Sequence, residues 1–214
     1  MKRTLLKSIV GITALFSVAI PSYGQGKINL NNYSNTGNQI TYGFGWSPGL
    51  VGTGLQNGVG GVTTWSVGFY YALGDVTASV TPDVTGTEIP SSQYAGFTFA
   101  TGAAGDTTTI KSLPGGGYFE STSDAIINGW TAGSVTFEVI AYSGANYNSS
   151  AYRAHSAPFL LTPATAGTPQ TTPLISSSNV GMPGFSVPII PEPTSFVLAG
   201  LSSALFLFFR RKRA

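Results

Sequence analysis

Between residues 25 and 190 no stretch keeps an apolar repeat of 3.6 residues for three turns, which argues against a helical core. What recurs is alternation with period two, the pattern of a half-buried strand. It is strongest over 63–73, where Trp65, Val67, Phe69 and Tyr71 share one face, and over 134–143. There Val135, Phe137, Val139 and Ala141 oppose Thr136, Glu138, Ile140 and Tyr142. Shorter runs at 27–31, 39–44, 95–100, 118–122, 157–161 and 185–189 repeat the pattern between Gly-, Pro- and Asn-rich turns. Residues 76–80 alternate again after Gly74-Asp75, so 63–80 is expected to be a hairpin. Residues 45–61 read as a long Gly-rich loop, and 124–130 fits either a helical turn or the approach to a strand. The fold class expected is all-β, an antiparallel β-sandwich of jelly-roll type over 25–161. A Thr/Pro/Ser-rich stalk is expected over 162–190, its end able to pair back as a strand.

The two ends are built differently. Lys2, Arg3 and Lys7 precede an apolar run over 9–20, and Pro21-Ser22-Tyr23-Gly24 supplies small residues before a cut between Gly24 and Gln25. That order predicts a secretory signal peptide, 1–24, for export by the Sec machinery. At the other end Pro191-Glu192-Pro193-Thr194 leads into 195–209, where only Ser195, Ser202 and Ser203 interrupt the apolar side chains. Arg210, Arg211, Lys212 and Arg213 follow. A helix apolar all round belongs in a large core or a membrane, and cations at one end place that end in the cytoplasm. Fifteen helical residues span roughly 22 Å against a hydrocarbon layer of ~30 Å. Snorkelling of the basic side chains, bilayer thinning and a few preceding residues make up the deficit. The expectation is a transmembrane helix over 195–209 that holds a precursor in the inner membrane.

Pro191, Glu192 and Pro193, the apolar run and the basic cluster together resemble the PEP-CTERM sorting signal of exported Gram-negative proteins. The resemblance covers 188–214 and departs only in Ile189-Ile190, where the family often has Val before the tripeptide. It implies recognition by an exosortase, a membrane-embedded cysteine protease, and cleavage near the tripeptide. Release or attachment of the ectodomain at the cell surface would follow, often in bacteria that make extracellular polysaccharide. A looser likeness runs through Gly24-Gln25-Gly26, Phe69-Tyr70-Tyr71-Ala72, Gly117-Tyr118-Phe119 and Val139-Ile140-Ala141-Tyr142. Those stretches are similar to Verrucomicrobia-type ectodomains that carry such tails, which implies a sandwich and no particular chemistry.

With both ends set aside, 25–194 keeps three cations, Lys27, Lys111 and Arg153, against eight acids, a net charge of −5. The basic balance of the whole chain therefore belongs to its targeting segments. Three scattered cations cannot form the patch that displaces counterions from phosphates, so nucleic acid is not an expected partner. The chain contains no cysteine, which excludes disulfides, thiolate metal sites and a cysteine nucleophile.

Chemistry has few residues to use. His155 is the single histidine and reads as an exposed loop residue, with no Gly-x-Ser-x-Gly elbow to serve. Glu120, Asp124 and Glu138 are the acids from which a glycosidase pair would be drawn. Asp75 and Asp106 read as turn acids, without the oxygen-ligand run of a calcium loop. The glycines at 58–61 and 115–117 lack the helix that a phosphate loop opens. Asn32-Tyr33-Ser34 and Asn148-Ser149-Ser150 match the N-glycosylation pattern, a match expected by chance beside export signals that resemble bacterial ones. Tyr142, Tyr147 and Tyr152, near Trp46 and Trp130, are the candidate glycan-stacking contacts. The expected function is a non-enzymatic, structural or adhesive surface or matrix protein without cofactor or metal, associated with polysaccharide. The alternative is a secreted glycan-active enzyme or carbohydrate-binding module.

Overall fold

The two longest alternating runs pair with each other. In the computed structural model, which describes residues 25–33, 38–165, 175 and 181–189, Trp65 lies opposite Ser143 and Leu73 opposite Val135. In chain order the strands are β1 (Gly26–Asn31), β2 (Ile40–Tyr42), β3 (Trp65–Leu73), β4 (Thr98–Phe99), β5 (Thr108–Thr109) and β6 (Glu120–Ile127). Then come β7 (Val135–Ser143), β8 (Arg153–His155), β9 (Phe159–Leu161), β10 (Ala164–Thr165) and β11 (Phe185–Val187). Helix among the described residues is limited to α1 (Pro90–Gln93) and a 3-10 turn at Thr77–Ser79. The protein is mostly β, as its period-two patterning requires.

Antiparallel β3 and β7 form the middle of a six-stranded sheet, with β4 and β5 beside β3 and β8 and β9 beside β7. A three-stranded antiparallel sheet runs β10–β1–β6, its register slipping between Asn29 and Asn31. The parallel pair β11–β2 completes the set. Ile28 and Leu30 from β1 and Ala125 and Ile127 from β6 share one apolar cluster with Trp65, Val67, Phe69 and Tyr71 from β3. Val135, Phe137, Val139 and Ala141 of β7 close that cluster. Fully burying each of the larger side chains is worth about 1.5–3 kcal/mol, so this face dominates stability.

Eight of the nine β7 positions are nevertheless buried, so the sheet is covered on its other face too. Tyr70, Ala72, Ile140 and Tyr142 meet Val80, Phe97 and Tyr147 in a second, smaller cluster. The segment between β3 and β4, with the β7–β8 loop that carries Tyr147, forms that cover.

The hairpin expected over 63–80 does not form. Gly74 turns the chain at φ +86, a conformation that glycine adopts without strain. Asp75 Oδ1 then captures the Thr77 amide (3.1 Å) and hydroxyl (2.7 Å), giving this backbone a local partner in place of a ladder. Residues 76–80 so become a turn, and β3 takes β7, β4 and β5 as its partners. The ambiguous stretch 124–130 resolves into the end of β6 and the turn after it. The glycine-rich loop lies against the domain, with Leu55 N–H donating to Ile40 O at 2.9 Å. A Cβ on Gly54 would sit 2.2 Å from Gly115 O, so this approach requires glycine.

Chain beyond 161 is also held. β10 pairs with β1, Ile175 and Met182 are fully buried, and Ile175 N–H donates to Asn29 O at 2.9 Å. The end of the expected stalk does pair back: Phe185 lies opposite Ile40 and Val187 opposite Tyr42. Beyond that pairing, Ile189 N–H donates to Phe44 O at 2.8 Å. The described residues of 162–189 thus belong to the folded domain, because their few apolar side chains find places in its core. Residues 1–24 and 190–214, with Gly24, Pro191, Glu192, Pro193, the apolar run and Arg210, Arg211, Lys212 and Arg213, lie outside the described residues. Among the described residues no helix is long and apolar enough to cross a membrane.

Candidate functional site

Strand alternation sends Thr136, Glu138, Ile140 and Tyr142 to the outer face of β7. His155 on β8 lies opposite Ile140, so its ring reaches the same face, diagonally beside Glu138. The cover then lays residues 83–88 over both. His155 N–H donates to Gly86 O at 2.8 Å, which fixes the loop against the edge of the sheet.

Asp83 organises that loop. Its Oδ1 accepts from the Thr85 amide (2.8 Å) and hydroxyl (2.6 Å), and its Oδ2 from the amides of Thr87 (2.6 Å) and Glu88 (2.7 Å). His155 Nε2 stands 3.1 Å from the same Oδ2. Burial alone would raise this carboxyl, but the Thr85 hydroxyl, the Glu88 and Thr85 amides and the imidazole hold it well below the usual carboxylate range. Asp83 is therefore an anion in the folded protein.

The imidazole is engaged on both edges. Nδ1 lies 2.8 Å from Ser156 O and 3.4 Å from Glu138 Oε2, so it faces oxygens and donates. Nε2 has Asp83 Oδ2 at 3.1 Å and Gln93 Nε2 at 3.0 Å. When protonated it donates to Asp83, and when not it accepts from the Gln93 amide. Glu138 is fully buried and neither of its oxygens has a hydrogen-bond partner. Burial, with the negative charge of Asp83 second, pushes its carboxyl up to about 8. An acid so placed keeps its proton through the neutral range.

Two further side chains tie the loop down. Tyr147 OH donates to Glu88 O at 3.0 Å, and Arg153 Nε donates to Thr87 O at 3.0 Å. The guanidinium lies over the Tyr147 ring, 5.7 Å from its centre, and also donates to Asn148 O. A cleft of about 260 Å³ opens beside this arrangement, lined by Val80, Pro82, Asp83, Gln93, His155 and Pro158 among others.

The geometry suits a clasp better than a reacting centre. A general base needs a free ring nitrogen beside a nucleophile, whereas here Nε2 is taken up by Asp83 and Gln93 and Nδ1 by Ser156 O. A metal needs ligands converging on one point, but the two carboxylates address opposite edges of the ring. Among the described residues no group of three or more His, Asp or Glu side chains is placed to hold an ion.

The residues singled out from the sequence are dispersed. His155 is buried rather than exposed, because its strand partner sits in the middle of the outer face. Glu120 and Asp124 stand on β6 in the three-stranded sheet, the first 3.8 Å from Lys111 Nζ and the second 3.8 Å from Lys27 Nζ. Neither meets Glu138. Tyr142 and Tyr147 are buried edge-to-face at 6.0 Å under the cover. Tyr152 belongs to the other side, half-buried against Trp46 (4.9 Å) and Trp65 (6.5 Å). The three tyrosines thus form no common platform, since two of them supply the apolar bulk that closes the outer face. Trp46 and Trp130 are buried too, their indole N–H groups donating to Val187 O and Gly133 O at 2.8 Å each. Gln25 is exposed, one residue before β1.

Asp83 and Gln93 were not among the residues the sequence pointed to. A signal for the first exists: Asp75-Val76-Thr77 and Asp83-Val84-Thr85 are the same tripeptide eight residues apart, and both fold into the same Asp–Thr turn. Compared with known proteins, the chain matches no family model, no curated protein and no solved structure.

Proposed function

We propose that this chain is an exported, exosortase-processed protein of the cell surface or extracellular matrix, with a structural or adhesive, polysaccharide-associated role and no enzymatic one. Its sheets would form a jelly-roll-like sandwich, made as an inner-membrane precursor through the Sec machinery. The observation that carries this reading is the ordered tail: Pro191-Glu192-Pro193, the apolar run 195–209, then Arg210, Arg211, Lys212 and Arg213. Cleavage near the tripeptide removes the four cations, so intact mass of surface-associated protein tests it. Mass lacking them in a strain with a working exosortase is the expected result, and Glu192→Ala should leave an uncut precursor. Mature protein that kept the cluster in that strain would overturn the assignment.

For the polysaccharide, the supporting feature is a surface groove of about 380 Å³ beside Tyr152, lined also by Thr63, Thr64, Ser66 and Ser143. Hydroxyls around one aromatic edge suit an uncharged glycan. Tyr142 and Tyr147 support the fold instead. A glycan screen on mature protein should therefore show retention lost on Tyr152→Ala, and retention unaffected by that change would remove the groove from the reading.

One observation favours a second reading, a glycan-active enzyme. A carboxylic acid that holds its proton up to about 8, as Glu138 does, has the property of a general acid. Its full burial and the occupied imidazole beside it speak for the clasp instead. Turnover of a glycan that disappeared in Glu138→Gln would establish the enzyme.

A further inference from the structure

The last described residues bring two features together. Ile189 is bound through its backbone to Phe44, and Ile189, Pro188, Phe44 and Val84 line one groove of about 380 Å³ with Thr85, Thr87 and Ser186. No charged side chain lines it. Phe44 is 83% exposed and Val84 99%, two of the few large apolar side chains left in water among the described residues. We propose that this face rests on the lipid bilayer in the uncleaved precursor, with Phe44 and Val84 entering the interfacial layer of the leaflet from which the domain projects. The inference depends on the reading of 195–209 as a membrane span.

Chain length carries it. Only residues 190–194 separate Ile189 from Ser195, the first residue of the apolar run. Six steps of an extended chain reach no more than about 22 Å. The headgroup layer on one side occupies roughly 6 Å of that, being half the difference between whole-bilayer and hydrocarbon thickness. A run whose helix spans only roughly 22 Å draws preceding residues towards the hydrocarbon, which shortens the tether further. The face that bears Ile189 is thus held at the membrane surface, and it is the face that carries Phe44 and Val84.

Two side chains alone would bind lipid weakly. A short tether makes the contact intramolecular, at an effective concentration on the order of millimolar, so docking lasts while the tail is attached and ends with cleavage. Of the charged residues around the groove, Asp83 is turned into its own loop and Arg153 is engaged by Thr87 O and Asn148 O, so the exposed Glu88 beside Thr87 is the one charge that the docked face must leave in water. The Pro-Glu-Pro tripeptide would in this state be presented at the bilayer, two residues from a backbone bond that fixes its height. That position suits a membrane-embedded protease.

The chain has no cysteine, so Phe44→Cys, Val84→Cys, Ala132→Cys and Ser202→Cys each give a single fluorescent label. Positions 44, 84 and 132 are exposed, which keeps these substitutions clear of the core. The uncleaved full chain is placed in phosphatidylcholine nanodiscs and quenched by a lipid-confined nitroxide. Labels at 44 and 84 should be quenched several-fold more than the one at 132, in the turn before β7, with the label at 202 quenched as a span residue. If 202 is quenched but 44 and 84 behave like 132, the inference is overturned and the membrane reading stands. If 202 itself stays unquenched, the membrane reading fails and this inference with it. Contact between labels on separate copies at 44 and 84, without lipid quenching, would assign the face to a second copy and overturn the proposal.

Discussion

The two faces of the β3–β7 sheet are buried to a similar depth by opposite means. Inward, Val135, Phe137, Val139 and Ala141 pack on β1 and β6 without a polar side chain among them. Outward, Thr136 and Glu138 are followed along the strand by Ile140 and Tyr142, and all four meet a cover almost free of regular structure. Such a cover has no ladder to satisfy its backbone, so side chains supply the partners. Thr136 Oγ1 donates to Gly74 O (2.8 Å) and accepts from Val76 N–H (2.9 Å), Asp83 takes four donors, and Tyr147 and Arg153 donate to loop carbonyls. The inner face is held by area and the outer one by directed bonds. One tolerates any well-filled volume, while the other depends on particular atoms and on their protons.

Breaking the inner face should cost most. Phe137→Ala removes a fully buried ring that contacts Phe69 (5.8 Å) and Phe159 (6.0 Å), for a loss of about 3–5 kcal/mol in urea unfolding. The whole domain should become less stable, with exchange rising in every strand. A loss under about 1 kcal/mol would mean that this cluster is not the main source of stability. Next comes Asp83→Ala. It leaves the amides of Thr87 and Glu88 without their acceptor, at about 2–3 kcal/mol. Hydrogen exchange should rise across 76–97 and stay unchanged in β1 and β6. Uniform loss of protection would erase the distinction between the faces.

Protons sharpen the comparison further. The Glu138 carboxyl is raised to about 8 by burial first and by Asp83 second. An acid that binds its proton more tightly when folded contributes its stability in full below its unfolded value, near 4.5, and loses it as pH rises towards 8. Asp83 acts in the other direction. Its lowered carboxyl stabilises above its ordinary value near 3.8, and that stability goes only as pH falls through the folded value, in strong acid. Stability should therefore decline between pH 5 and 8, by about 3–4 kcal/mol from Glu138. Asp106, also raised by burial, adds a slope of the same sign. Denaturant midpoints across this range should flatten in Glu138→Gln by the Glu138 share. An unchanged slope would mean that the carboxyl titrates as an ordinary surface acid.

How much of this was legible follows the same division. Period two over 63–73 and 134–143 gave the two longest strands to within a residue or two, because a buried sheet face writes itself as alternation. Alternation cannot say which strand pairs with which. Residues 76–80 alternate as well as β1 does, yet Asp75 turns them aside through two bonds. His155 looked like a loop residue because Arg153-Ala154-His155 is too short to show a period, and its burial comes from a pairing fixed by distant Ile140. The described residues of the expected stalk join the domain for a related reason: few apolar residues suffice when Ile175, Met182 and Val187 each find a place in a core that already exists. The clasp needed four elements to converge, and no spacing within the sequence encodes that.

The repeated Asp-Val-Thr offers the smallest and most controlled comparison. Asp75 and Asp83 make the same pair of bonds to a threonine two residues on, at 2.7 and 2.6 Å to its hydroxyl. Asp75 does so in the open, while Asp83 continues to two more amides and the imidazole. If the turn itself carried the stability, Asp75→Ala and Asp83→Ala would cost alike. Surface substitutions away from buried networks usually fall within about 0.5 kcal/mol, so Asp75→Ala should cost no more than that in urea unfolding. The local turn is intrinsically weak because solvent replaces its bonds as soon as they open. What separates the two positions is the buried far side of Asp83, where water cannot do so. Equal losses at the two aspartates would show that the outer face gains nothing from the clasp and is held, like the inner one, by area.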